Sequence, residues 1–153
     1  MGEPLAPATR PSRLPLPAQI AAGGLLFLSL LSGLLVWWGQ SIQLREWQSP
    51  FWLRWCLVLH GCLSPFLCGL FGYLCCVHIR LGWQLRANLL SGLIIETVFL
   101  GLILSGTALY YAGSEEWRER LGAGAHRWLG ILLPFVLGAH WAAGLRWAKK
   151  TSK

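Results

Sequence analysis

Residues 88–112 read NLLSGLIIETVFLGLILSGTALYYA. In 25 residues the run carries one charged group, Glu96. A helix rises about 1.5 Å per residue, so the run is longer than the ~30 Å hydrocarbon core of a bilayer. Three other stretches have the same character: 18–38, 55–77 and 128–145. Backbone polar groups inside lipid must be paired within their own segment, which makes these runs helices rather than isolated strands. The whole chain is 55% hydrophobic and 12% charged, against about 25% charged for soluble domains. The expected fold is therefore all-α: an integral membrane four-helix bundle over residues 18–147, with spans at about 18–38, 53–78, 88–112 and 124–146.

Around these spans the chain is short of material for any other domain. Residues 1–17 hold Pro4, Pro7, Pro11, Pro15 and Pro17, which cannot form a helix interior, and are expected to be a disordered cytoplasmic tail. Residues 148–153 form a basic cytoplasmic tail. The net charge of +7 does not point to nucleic acid, because the basic residues sit at the ends of the apolar runs, where they anchor and orient helices. Arg10, Arg13, Arg80, Arg86, Arg146, Lys149, Lys150 and Lys153 fall on one side; Arg45, Arg54, Arg118, Arg120 and Arg127 fall on the other. Eight against five puts both termini in the cytoplasm of a multi-pass membrane protein. Tryptophans and tyrosines near the span ends form the expected interfacial belts. The first run is long for a signal-peptide core, ends in Trp37-Trp38 and lacks a clear small-residue cleavage site.

Cys56, Cys62, Cys68, Cys75 and Cys76 all lie on the second run, where they are poorly placed to bridge one another. They are expected to be free thiols behaving as small buried hydrophobes. Ser29 with Gly33, and Gly101 with Ser105, are small residues at fourfold spacing that would let helices approach closely. Pro65 and Pro134 lie mid-span on the second and fourth runs, where proline can kink a helix.

The four histidines carry the chemistry. His60 and His78 belong to the second span, His126 and His140 to the fourth, and the first and third have none. At about 100° per residue, the 18-residue step from His60 to His78 returns to the same face, and the 14-residue step from His126 to His140 ends about 40° away. The second and fourth spans of a four-span protein run in the same direction. His60 then pairs with His126 at one depth, and His78 with His140 at another. Two facing imidazole pairs are what two stacked bis-histidine haems require, and the core of a bundle is a natural cofactor site. Four residues beyond each histidine stands a small residue, Ser64, Gly82, Gly130 or Gly144, which leaves room for a porphyrin edge. Arg118, Arg120 and Arg127 on one side, with Arg80 and Arg86 on the other, supply cations for propionates. The competing reading makes all four histidines interhelical hydrogen-bonding residues of a cofactor-free membrane scaffold or assembly protein. A small transporter is disfavoured, since no inverted repeat is visible.

From His60 onward the chain resembles the bacterial transmembrane di-haem cytochrome b superfamily, which includes the cytochrome b subunits of formate dehydrogenases and nickel–iron hydrogenases. The resemblance is carried by LHG around His60, HIRLGW from His78, SGTALYYAGSEEWR from Ser105, HRWLG from His126 and HWAAGLRW from His140. It covers about residues 50–147, and it looks closest to small four-helix members. It implies one or two b-type haems in a bacterial inner membrane, with electrons passing between a quinone pool and a redox protein partner. The segments by which larger members dock a dehydrogenase are missing, so the partner, the direction of flow and a homodimeric state all stay open. Glu96 has two readings of equal weight: a proton acceptor beside a quinone or haem, or a protonated carboxyl bonded to a neighbouring helix. No nucleophile with a base and no phosphate-binding loop are present, which points to an electron-transfer subunit rather than a stand-alone enzyme.

Overall fold

Proline at either end of residues 15–17 sets the first boundary. Pro17 occupies the first turn, where a missing N–H costs nothing, and the first helix runs Leu16–Glu46. It ends on Trp47, whose left-handed backbone (φ 56°) lets its N–H close on the Gln43 carbonyl. This computed structural model describes residues 15–85, 88–111 and 113–151, without the side chains of 85, 120, 121 and 148–151. Of the tail expected over 1–17, residues 1–14, with Arg10 and Arg13, lie outside the described residues, as does Arg86, while Leu16 and Pro17 already belong to the first helix.

The second helix, Leu53–Leu74, passes through a π-helical turn at Cys75–Ile79 into Arg80–Leu85. The third is Leu89–Tyr111. A short turn, Glu115–Trp117, capped by the Ser114 hydroxyl accepting from the Trp117 N–H, leads through a π-helical stretch at Arg118–Ala125 into the fourth helix, His126–Thr151. The described residues contain no strand. Four helices are long and apolar enough to cross a membrane: Leu16–Glu46, Leu53–Gln84, Leu89–Tyr111 and Glu115–Trp147. The helices continue through Pro65 and Pro134.

Backbone packing joins the helices in two antiparallel pairs, first with second and third with fourth. Glycine makes both pairs close. A Cβ on Gly39 would meet Leu53 Cδ1 at 2.8 Å and the Trp52 ring at 2.9 Å, and one on Gly101 would meet Leu129 Cδ1 at 2.9 Å. The second and fourth helices, which carry the histidines, have little close backbone contact. Across the pairs, Phe71 stacks on Phe99 (centroids 5.1 Å apart, planes 15°), and the Arg127 guanidinium lies 5.2 Å over the Trp37 ring.

Few side chains are withdrawn from the surface. Leu53, Val98 and Phe99 are buried, and so are two polar residues, Ser32 and Ser105. The cysteines are free but, contrary to expectation, none is buried: Cys62, Cys68 and Cys76 are exposed, Cys56 and Cys75 half-buried. The second helix turns its histidine face to its neighbours, and Cys62, Cys68 and Cys76 are exposed along with Phe66 and Tyr73, while Cys56 and Cys75 stand closer to the histidine face.

Candidate functional site

Because the second and fourth helices are parallel, residues advancing along them stay level. His60 meets His126 with ring centroids 6.0 Å apart and planes at 86°. His78 meets His140 at 6.1 Å and 82°. The first pair lies toward the end of the bundle bearing the 47–52 connection; the second lies toward the end where the first helix starts and the fourth finishes. All four rings are half-buried. The 18-residue and 14-residue steps would differ by about 6 Å along straight α-helices. The π turn that holds His78 takes up an extra residue and so shortens the longer step.

Three of the rings are held from behind by the adjoining helix. His60 Nδ1 lies 3.0 Å from the Ser29 carbonyl and 3.0 Å from Ser32 Oγ, both on the first helix. His126 Nδ1 lies 3.2 Å from the Leu102 carbonyl and 3.1 Å from Ser105 Oγ on the third. His140 Nδ1 lies 3.0 Å from Ser91 Oγ. A carbonyl can only accept, so Nδ1 of His60 and of His126 carries the hydrogen, and Nε2 of each neutral ring keeps its lone pair. Metal-binding imidazoles are typically oriented in this way, with the second nitrogen donating to an outer partner.

The donor set discriminates between kinds of metal group. Among the described residues no cluster of three or more histidine, cysteine or acidic side chains could hold a bare ion. A bare zinc ion takes three or four protein ligands. Two imidazoles per site suit a group that brings its own equatorial donors, as haem does. Two imidazoles that shared one metal atom through their free nitrogens, at metal–nitrogen distances of about 2.0 Å, would have ring centres about 6 Å apart. Both pairs match that spacing.

The other anticipated residues are less concentrated. Gly144 is turned toward Asn88 of the third helix (3.5 Å to Nδ2 from an added Cβ) and Gly130 toward Leu102 (3.9 Å). The Ser64 hydroxyl donates back to the Gly61 carbonyl, and Gly82 lies half-buried in Arg80–Leu85. Arg127 sits over Trp37, Arg118 pairs with Glu115 at 3.5 Å, and Arg80 is exposed. Glu96 is half-buried on the third helix, within electrostatic reach of Cys75. Sequence reading did not single out Ser32 or Ser91 or give Ser105 a role at a histidine, and on the first helix it marked Ser29 and Gly33 only as small residues that let helices approach. Tyr110, expected only as part of the interfacial aromatic belt, has its hydroxyl 3.4 Å from where a Cβ on Gly61 would stand, next to His60. Compared with known proteins, the chain matches no family model, no curated protein and no solved structure.

Proposed function

We propose that this chain is a multi-pass membrane cytochrome of b type that holds two haems, His60 with His126 and His78 with His140, and passes electrons between a quinone pool and a redox protein partner. The observation that carries the reading is the pair of imidazole couples, 6.0 and 6.1 Å between centroids, at two levels of one helix pair. When bound, the haems supply one-electron chemistry, with axial ligands and hydrogen bonds setting the potentials. The chain's own residues bind and orient. The four imidazoles offer one nitrogen each, the first and third helices hold three of the rings from behind, and the stacked Phe71 and Phe99 fill the bundle between the two levels. Arg80, Arg118 and Arg127 are the described cations available to propionates; Gly130 and Gly144, which face the third helix, serve helix packing rather than a porphyrin edge, and Ser64 is exposed. Glu96 is the proton-accepting group we assign to a quinone.

The membrane setting is supported by four long apolar helices and by their exposed large hydrophobic side chains, Leu90, Leu104 and Phe135 among them. Contiguous apolar surface on this scale is covered by lipid or by another apolar partner. The distribution of lysine and arginine supports an orientation with both termini in the cytoplasm, and the resemblance to bacterial cytochromes b supports a bacterial inner membrane. The resemblance to di-haem cytochromes b points the same way. The test is the reduced-minus-oxidised visible spectrum of detergent-purified protein with haem counted per chain. Two low-spin b haems per chain are expected. Folded protein that takes up no haem under ample supply would leave a cofactor-free membrane scaffold, its imidazoles packed edge to face.

A further inference from the structure

Three Leu-Ser-Gly runs, 31–33, 90–92 and 104–106, lie on the two helices that lack histidine. Each places its serine on a different imidazole: Ser32 on His60, Ser91 on His140 and Ser105 on His126. We propose that these serines are positioning residues, each fixing the proton and the plane of one haem-binding histidine, with the following glycine providing the clearance at His60 and His126. This deepens the haem reading and rests on it.

The proton assignment follows from the hydrogen bonds. Each serine hydroxyl already donates to the carbonyl three residues earlier: Ser32 to Ser29 at 3.0 Å, Ser91 to Asn88 at 3.1 Å and Ser105 to Leu102 at 3.2 Å. With its hydrogen committed, Oγ can only accept from the imidazole, so Nδ1 is the donor in all three contacts and Nε2 is left for the metal. At His60 and His126 the same carbonyl also accepts from Nδ1 at 3.0 and 3.2 Å, whereas at His140 the Ser91 Oγ contact at 3.0 Å is joined by a weaker interaction with the Ser91 backbone. The glycines keep the approach open. A Cβ on Gly33 would stand 3.1 Å from His60 Cε1 and one on Gly106 3.3 Å from His126 Cε1; at Gly92 the distance to His140 Cε1 is 3.9 Å. Spacing makes the device repeat: Ser91 and Ser105 are 14 residues apart, as are His126 and His140 on the antiparallel helix. Ser32 and Ser105 are buried, and a buried hydroxyl is costly unless bonded.

The experiment is potentiometry and low-temperature electron paramagnetic resonance on haem-loaded, detergent-purified Ser91→Ala, Ser32→Ala and Ser105→Ala. Loss of the acceptor makes the imidazole a weaker donor to ferric iron, so the midpoint potential rises. Ser91→Ala should shift the oxidised-to-reduced equilibrium of one haem about tenfold, or ~59 mV for one electron. Ser32→Ala and Ser105→Ala, which leave a carbonyl within 3.0 and 3.2 Å of Nδ1, should both move the other haem by less. The unmoved haem is the internal control for folding, and Ser91→Thr, which keeps an Oγ, should restore the parent potential and g-values. Unchanged potentials and g-values in all three alanine variants, or equal movement of both haems in each, would overturn the proposal while leaving two haems per chain intact. Parent protein without haem would instead overturn the reading beneath it.

Discussion

Alanine at Gly33 and alanine at Gly92 should have opposite effects on the stability of the protein. Glycine inside a helix costs roughly 0.5–1 kcal/mol relative to alanine, so either substitution begins with a gain of that size. At Gly92 the new Cβ would stand 3.9 Å from His140 Cε1, an ordinary contact, and the gain survives. At Gly33 it would stand 3.1 Å from His60 Cε1, with Nδ1 at 3.5 Å and Nε2 at 3.8 Å, so a whole ring edge must retreat by a few tenths of an ångström. That ring cannot retreat freely, because Nδ1 is tied to the Ser29 carbonyl and to Ser32 Oγ on the same helix as Gly33. Overpacking a well-fitted site costs about 1–3 kcal/mol. The net expectation is a stability loss of up to ~2 kcal/mol for Gly33→Ala and a gain of about 0.5–1 kcal/mol for Gly92→Ala. Both can be read from SDS-induced unfolding in mixed detergent micelles, with the haem spectrum recorded on the same samples. Gly33→Ala should also disturb the haem of the His60–His126 pair, and Gly92→Ala neither haem. Equal stabilisation by the two substitutions, with both haems undisturbed, would refute the close approach of His60 to the first helix.

Other consequences can be checked separately. His60→Ala and His126→Ala should each remove the same haem, and the double variant should lose no more than either single one, whereas His78→Ala and His140→Ala act on the other; haem per chain measures this. The His78 side should release its haem first on detergent dilution, because His78 sits in a π turn and has no hydrogen-bond partner among the described residues. Phe99→Ala removes a buried ring stacked on Phe71 and should lower stability by about 3 kcal/mol without moving the visible bands. In vesicles, Cys62, Cys68 and Cys76 should react with a lipid-soluble maleimide and resist a charged, water-soluble one, as judged by mass spectrometry. Fast labelling by the charged reagent would argue against a bilayer around the second helix.

Much of the framework was legible from residue type and spacing alone. Long runs such as 88–112, with one charge, announce helices of membrane length because chain length and apolarity are local properties. The nearness of His60 to His126 and of His78 to His140 was also within reach, since helical periodicity and parallel direction follow from the number of spans. The cysteines were misjudged: their small size suits a buried position, but which side of a helix faces its neighbours is set by packing, and Cys62, Cys68 and Cys76 face outward while Cys56 and Cys75 are only half-buried.

The sequence by itself determined the four apolar helices and the two histidine-bearing faces, because both depend on patterns within single segments. Only the tertiary structure decided what stands behind each imidazole. Ser32 is 28 residues from His60, Ser91 is 49 from His140 and Ser105 is 21 from His126, separations at which spacing alone specifies no contact. The matching 14-residue steps acquire meaning once the third and fourth helices are known to pack antiparallel in that one register. Glycine permits that register at Gly101 and Gly106 by removing the side chains that would have held Leu129 and His126 away.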